Sequence, residues 1–530
     1  MRPAVAGAGV FTVSAATLMY EILLTRIFSV TMWYHFAFLA VAAGLLGMTA
    51  GALLVQSRPP TPHPAAAARW LAASALAFAA GIPITFLLHL AIRVTPTLTL
   101  PGLASVLVTF ALVSVPFLFG GVTVCLALTR LGGPVGTIYA ADLAGAAAGC
   151  LLTVAVLRVA DAPAAVFAVA AVAALGAAIL AAGARTRRLA VTAAVLAALA
   201  VTVVGARPGW PRITWVKGGI EAGPTLHERW NSYSRIRISG DPTAASPPFG
   251  WGLSPRYPVD RPVPQLLLSI DAVADTVLTR FDGNLERLEH LRWDVTNLAH
   301  ELRHNARVLV IGAGGGRDVL SALAFGQRSV LAVEVNEAIL DAVNQRFGDY
   351  TGHLDRHPAV RFVNDEARSH VARLDERFEV IQLSFIDTFA ASAAGAYVLT
   401  EHALYTVEAW QVFLDRLAPT GILTHSRWYF RRAPAEIHRL VALATASLLA
   451  SGVAHPREHL ILVRAPVGAD PRYREAIGVG TLLVGRRPFS IADVATARAA
   501  ATRLGFDVVL DPTGSTDPVL RALTAPESFP

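Results

Sequence analysis

Residues 307–318 read RVLVIGAGGGRD, and the next apolar run, SVLAVEV (329–335), carries Glu334. The first five residues are an unbroken β-type run. Gly312, Gly314 and Gly316 then make a G-x-G-x-G turn before a helix start. A turn this tight needs positive φ or close backbone approach, which glycine permits. A second strand ending in a carboxylate completes the pattern of a nucleoside site, because an acid there can accept hydrogen bonds from both ribose hydroxyls. The dinucleotide fingerprint places its third glycine one step later, where this chain has Arg317. An adenosine cofactor without a pyrophosphate, such as S-adenosylmethionine, fits better.

Outward from this stretch the chain continues as an alternating βα series. Strands are predicted at about 307–312, 329–334, 360–363, 378–384 and 421–427, with helices at about 316–325, 336–347, 366–374 and 401–417. Such alternation implies a mainly parallel sheet covered by helices, with ligands beyond the C-terminal strand ends. Further strands are expected at 459–463 and 480–484, and the stretch after 511 reads as loose. Upstream, Leu285, Leu288, Leu291, Val295, Leu298 and Leu302 recur near a helical period, so 283–304 is predicted to be one helix. Residues 207–282 read as a small β-rich module, with strands in WNSYSRIRISG (230–240) and QLLLSIDA (265–272).

The first 206 residues differ. Apolar stretches at about 4–28, 33–56, 70–92, 102–129, 135–157, 162–183 and 188–205 each approach the roughly 20 residues that cross a bilayer. The 530-residue chain has a mean hydropathy of +0.50, and charged residues make up only 16%, against about 25% in soluble domains. A net charge of +7 raises the question of nucleic acid, but the arginines lie scattered between apolar runs, as membrane loops require. Two cysteines, Cys125 and Cys150, both in apolar runs, support neither a disulfide framework nor a metal site. Gly145 and Gly149 form a small-xxx-small pair for helix packing. Glu21 and Arg26 read as an ion pair near a helix end, and Asp142 as a helix-packing hydrogen bond or a substrate contact. The arginine-rich loops 57–69 and 183–188 point to the cytoplasm. With seven spans this puts the C-terminal half outside. An adenosyl cofactor instead places it inside, as six spans would, with 188–205 along the interface. The expected location is therefore the inner membrane with a cytoplasmic C-terminal domain.

The overall architecture is thus an α-helical polytopic membrane domain (1–206), a β-rich module (207–282), a mainly parallel α/β domain (283–510), which the resemblance given below identifies as a Rossmann-like methyltransferase fold, and a tail (511–530). Three groups of site residues follow. Gly312, Gly314, Gly316 and Glu334 bind the cofactor, with Asp365 or Glu366 after the third strand placed for the adenine amino group. Asn364 or Asp365 can equally cap the next helix. Asp387, after the strand FEVIQLSF and before a loop of small residues, is the candidate catalytic acid that takes a proton from the attacking nucleophile. His290, Asp294 and Asn297, at i, i+4 and i+7, would share a helical face that could hold an acceptor. Arg317 is a candidate donor to the carboxylate of full S-adenosylmethionine.

This order of motifs resembles the polyamine aminopropyltransferases, the spermidine synthase-like family, in its membrane-fused branch, over about 210–430. The resemblance implies a Rossmann-like fold behind a small β-domain, and S-adenosylmethionine or its decarboxylated form as cofactor. It matches Glu366 to the acid of the family's adenine-side motif and Asp387 to the catalytic acid of its loop. Family members have an aspartate within the glycine loop, where this chain has Gly315, and an Asp where it has Leu383. Their YHE segment is replaced by ERLEHLRW (286–293). The cofactor half of the pattern is retained and the polyamine half eroded, which counts against putrescine as acceptor. The expectation is a membrane-anchored aminopropyl- or methyltransferase acting on an amine or other nucleophile, small or lipid-linked. The alternative is a transporter or sensor whose cytoplasmic domain binds a nucleoside without catalysis. A homodimer stays open.

Overall fold

The computed structural model describes all residues except 34–35, 60–62, 96, 132–133, 207–209, 259, 387–402, 431–433, 471–474 and 526–530. Seven helices come first: α1 (Pro3–Thr31), α2 (Ala37–Gln56), α3 (Pro64–Ala91), α4 (Leu100–Arg130), α5 (Val135–Val159), α6 (Ala162–Gly183) and α7 (Arg187–Ala206). All seven are long and apolar enough to cross a membrane. Prolines in the first turn start α1, α3, α4 and α6, where a missing N–H costs nothing. Thr99 and Asp161 cap α4 and α6 by accepting from Gly102 and Ala164. The last apolar segment is a full 20-residue helix packed along α6.

Small residues set the helix packing. A Cβ on Gly145 would come within 2.2 Å of the Phe11 carbonyl oxygen, and one on Gly149 within 2.3 Å of that of Ala15. The expected glycine pair is therefore the surface on which α5 lies against α1. Ser14 donates to the Asp142 carboxylate across the same contact at 2.5 Å, the helix-packing role read from the sequence. Gly145→Leu should separate these backbones and cost about 1–3 kcal/mol or more. Thermal unfolding of the full chain in detergent tests this. Gly136→Ala is the control, since nothing lies within 4 Å of the Cβ it adds.

The second unit is built on two sheets. A short hairpin, β1 (Trp215–Val216) and β2 (Gly219–Ile220), precedes the antiparallel β3 (Thr225–Trp230), β4 (Arg235–Ser239), β5 (Gln265–Ile270) and β6 (Ala274–Thr279), paired in that order. The remaining chain runs α8 (Ala299–Leu302), β7 (Arg307–Ile311), α9 (Arg317–Ala324), β8 (Ser329–Glu334), α10 (Glu337–Asp341), α11 (Gly348–Thr351), β9 (Val360–Asn364), α12 (Ala367–Ala372), β10 (Phe378–Ser384), α13 (Val407–Asp415), β11 (Leu417–Phe430) and α14 (Ala435–Ala450). It ends with β12 (Leu460–Asp470), β13 (Glu475–Gly485), α15 (Ile491–Leu504), β14 (Asp507–Asp511), β15 (Gly514–Ser515) and α16 (Pro518–Leu523).

The large sheet has the order β15-β14-β12-β13-β11-β10-β7-β8-β9. Strands β11, β10, β7, β8 and β9 are mutually parallel, and the later strands add antiparallel. Along β7, Val308 and Val310 enter one core while Leu309 and Ile311 enter the other. Both faces are covered, which is why this strand reads as a continuous apolar run. From β7 the chain builds outward through β8 and β9 on one side and β10 and β11 on the other, so the strand order reverses between β7 and β10.

Two expectations change. The stretch after 511 carries β15 and α16, which packs on α14. Residues 283–304 are not one helix: 3₁₀ turns span Leu285–Trp293 and Val295–Asn297 before the short α8. Asn284 and Asp294 each cap the turn that follows, accepting from Glu286 and Thr296. Asp294 is extended, at φ −108 and ψ 134, which breaks the helix.

The two units meet in a buried polar joint. Arg26 in α1 pairs with Asp271 in the β5–β6 turn at 3.1 Å, with side chains 2% and 0% exposed. Ser29 donates to the same carboxylate at 2.6 Å, and the backbone N–H of Arg235 at 2.7 Å. The Lys217 ammonium donates to the Asp271 carbonyl, and the Trp215 indole to the Val94 carbonyl at 2.8 Å. The ion pair expected between Glu21 and Arg26 is not formed. Glu21 instead lies against Gly44 of α2.

Candidate functional site

The glycine loop sits between β7 and α9, with Gly312, Gly314 and Gly316 at φ +76, +50 and +82. All three therefore occupy the left-handed region the sequence required. Glu334, at the end of β8, is 6% exposed. One of its oxygens accepts from the Gly314 N–H at 3.1 Å, and the other from the Asn336 N–H at 3.0 Å. Burial pushes its carboxyl up, against the pull of the N–H groups of Asn336, Gly314 and Val335. The side chain is thus fixed by its own loop, with acceptor capacity left on both oxygens. Asn336 is held in turn by Ser234 and Asn231 of the small sheet, at 2.8 and 2.6 Å. These residues fit the ribose of an adenosyl ligand: a glycine loop whose only side chain is the Ala313 methyl faces a buried, oriented carboxylate.

Small-sheet packing also explains Gly315. A Cβ there would lie 2.2 Å from the Val277 carbonyl oxygen of β6. The aspartate that the resemblance places in this loop has no room.

Asp365 and Glu366 follow β9, on the Glu334 side of the loop. Glu366 caps α12, accepting from Arg368 and Ser369 at 2.9 and 2.8 Å. The Asp365 carboxylate accepts from the Glu366 N–H and contacts His370 and Arg373. The cap expected from Asn364 or Asp365 therefore falls to Glu366. Asp387 lies outside the described residues.

His290, Asp294 and Asn297 do not share a helical face, because the chain breaks at Asp294, and all three are buried. Asn297 donates to the Leu291 carbonyl and accepts from Gln382. Gln382 also accepts from His300 at 2.9 Å, and the His300 Nδ1 faces the amide of Gln327. Burial lowers His300 to about 4, so the ring is neutral and braces α8 against β10. Asp294 pairs with Arg317 at 2.5 Å, both nearly inaccessible. Thr296 also accepts from the Arg317 guanidinium, and the indole of Trp251 stacks on it at 5.1 Å. The Arg317 charge is thus paired with Asp294 within the fold, with Nη1 and Nη2 engaged and Nε without a hydrogen-bond partner among the described residues.

Sequence reasoning missed two further features here. Trp251, Phe385 and Trp428 form a half-exposed aromatic wall at the ends of β10 and β11, with ring centroids 5.1 and 4.9 Å apart. Asp318, next to Arg317, is buried, and burial pushes its carboxyl up to about 6, against the nearby Arg317 charge and Ser384 hydroxyl. A separate cavity of 1090 Å³ lies where the ends of α5, α6 and α7 meet the small sheet, with Arg158, Trp210, Arg212 and Glu221 in its lining.

The class defined so far is a doubly wound α/β sheet joined to seven apolar helices. No family model matches the chain, and no curated protein matches it. Solved structures similar to it include the spermidine synthase of Thermotoga maritima, at 16% identity over 51% of this chain and 74% of that one, with a TM-score of 0.31. A spermidine synthase in complex with the transition state analogue AdoDATO gives 17% identity, 51% and 76% coverage, and a TM-score of 0.32. A probable spermidine synthase from Corynebacterium glutamicum gives 18%, 55% and 92%, with a TM-score of 0.35. At these values the likeness says nothing about this chain's chemistry, which rests on its own residues.

Proposed function

We propose that the protein is a membrane-anchored transferase that takes S-adenosylmethionine or its decarboxylated form and passes an aminopropyl or methyl group to a nucleophile. The observation that carries this reading is Glu334, buried and oriented opposite the glycine loop. The sulfonium of such a ligand makes its attached carbons electrophilic, so that a nucleophile displaces the thioether. The chain then has to supply position and a proton acceptor. The glycine loop and Glu334 hold the nucleoside, Asp365 and Glu366 stand on the adenine side, and Asp387 is the proposed acceptor of the nucleophile's proton. Asp294 acts through Arg317, with His290 and Asn297 supporting the same segment. The aromatic wall is the proposed seat of the acceptor's apolar or cationic body.

The test is turnover. With purified full-length protein, membrane extract and each donor, 5′-methylthioadenosine should accumulate for aminopropyl transfer, or S-adenosylhomocysteine for methyl transfer. Binding of donor with neither product would instead support a sensor or transporter.

We place the C-terminal domain in the cytoplasm, where such a donor is made. The structure sharpens the opposing argument. If all seven helices cross, Arg58, Arg130, Arg185, Arg187 and Arg188 lie at the ends remote from the small sheet, while Arg93 and Arg158 lie at its side. Positive charge favours the cytoplasmic face, so charge and chemistry predict opposite orientations. A C-terminal fusion decides between them. A fluorescent protein that lights up supports the cytoplasmic placement, whereas an active alkaline phosphatase overturns it together with a cytosolic donor.

A further inference from the structure

We propose that Asp318 is the specificity-determining carboxylate that receives a primary ammonium of the sulfonium ligand, standing in for the loop acid that Gly315 cannot carry. This rests on the nucleoside reading above and adds to it the group that recognises the ligand's amine.

The first observation is an incomplete pairing. Asp318 is 5% exposed, and its Oδ1 has no hydrogen-bond partner among the described residues. Buried carboxylates without partners are costly and uncommon in folded chains. The nearest cation is Arg317, but its guanidinium stands 3.7 Å from Asp318 against 2.5 Å from Asp294. One arginine between two aspartates leaves the trio one positive charge short when Asp318 is ionised. Among the described residues no other ion pair reaches these three side chains.

The second observation is place. Asp318 lies in the first turn of α9, directly after the glycine loop, and is close enough to Ser384 at the end of β10 for the hydroxyl to favour its ionised form. It therefore bridges β7 and β10, the point where strand order reverses and where ligands of open α/β sheets bind. A nucleoside held by Glu334 on the β8 side would extend its sulfonium arm toward this point. The third observation is exclusion. The Val277 carbonyl fills the space that a side chain at position 315 would need, so the loop itself cannot supply the acid.

Burial holds the Asp318 carboxyl near 6, and the neighbouring charges are Arg317 and Asp294, with the His290 ring kept neutral by burial. A bound ammonium would favour the ionised form and lower that value.

The test uses the full chain in detergent and two probes in calorimetry: decarboxylated S-adenosylmethionine, which carries the amine, and 5′-methylthioadenosine, which lacks it. Asp318→Asn should weaken the amine-bearing probe by about thirtyfold or more and leave 5′-methylthioadenosine within about twofold. The wild-type preference for the amine-bearing probe should fall as pH drops from 7 to 5, and the variant's preference should stay flat. Equal weakening of both probes, or no change in either, overturns the proposal. The 5′-methylthioadenosine arm also reports whether the variant is folded. If the wild-type chain binds neither probe, the nucleoside reading fails and takes this one with it. If it binds both equally at every pH, the nucleoside reading stands and the assignment of Asp318 falls.

Discussion

Arg26→Met should cost the full chain about 3–5 kcal/mol of stability, the range for removing one partner of a buried ion pair. The cost arises on the other side of the joint. Asp271 is fully buried and accepts from Arg26, Ser29 and the Arg235 backbone. Without the guanidinium its carboxylate keeps only the Ser29 hydroxyl and the Arg235 N–H as donors, with the Lys217 ammonium held on the backbone carbonyl instead. The converse variant, Asp271→Asn, removes the negative charge that the Arg26 guanidinium faces at 3.1 Å. Asn is the suitable replacement, because position 271 sits at φ +45, which Asn tolerates better than most residues. The double variant Arg26→Met/Asp271→Asn removes both charges and should recover most of the loss, giving a large coupling energy. Denaturant unfolding in detergent, followed by tryptophan fluorescence, reads it. Trp33, under the Lys217 ammonium at 5.4 Å, and Trp215 report on the joint. Additive losses in the double variant would show that Arg26 and Asp271 do not stabilise each other.

That joint was not legible in the sequence, and the reason is separation. Arg26 and Asp271 are 245 residues apart, and no local pattern links a helix end to a β-turn. Glu21 offered a nearer partner on the same helix, and proximity in sequence misled. The large sheet was legible because its signals are local: β7 and β8 are apolar on both faces, and three glycines mark a backbone no other residue adopts cheaply. The seven long apolar helices were legible because the length a bilayer demands of a crossing segment is one that few other structures need. The segment 283–304 failed for a specific reason. Leu288, Leu291, Val295 and Leu298 are all buried, but 3₁₀ turns also bring i and i+3 together, so the leucine spacing does not distinguish the two. Asn284 and Asp294 were the overlooked signals, since each side chain caps the turn that follows it. Asp318 was hidden differently. An acid in the first turn of a helix is usually a solvated partner of the helix dipole, and only the tertiary fold shows this one buried, with Oδ1 lacking a hydrogen-bond partner.

Glu334→Ala should abolish measurable binding of 5′-methylthioadenosine, a loss of about 100-fold or more. Two hydrogen bonds from ribose hydroxyls to a charged acceptor are worth roughly 1.5–3 kcal/mol each. The variant also frees the N–H groups of Gly314 and Asn336, which the carboxylate now holds. Glu334→Gln should fail almost as badly. Its amide turns one acceptor into a donor, which must then face either the Gly314 or the Asn336 N–H. Asn336→Ala separates holding from binding. It keeps the carboxylate and its bond to the Gly314 N–H but removes the side-chain link to Ser234 and Asn231, so a loss of only about tenfold is expected, one hydrogen-bond's worth. The pH dependence follows from burial, which raises the Glu334 carboxyl above its ordinary value. Ribose needs the ionised form as acceptor, so affinity for 5′-methylthioadenosine should fall on acidification before an ordinary glutamate would titrate. Titration calorimetry across pH, on wild type and the three variants, checks the whole series. Unchanged affinity in Glu334→Ala would remove the nucleoside from this site, and with it the reason to read the chain as a sulfonium-dependent transferase.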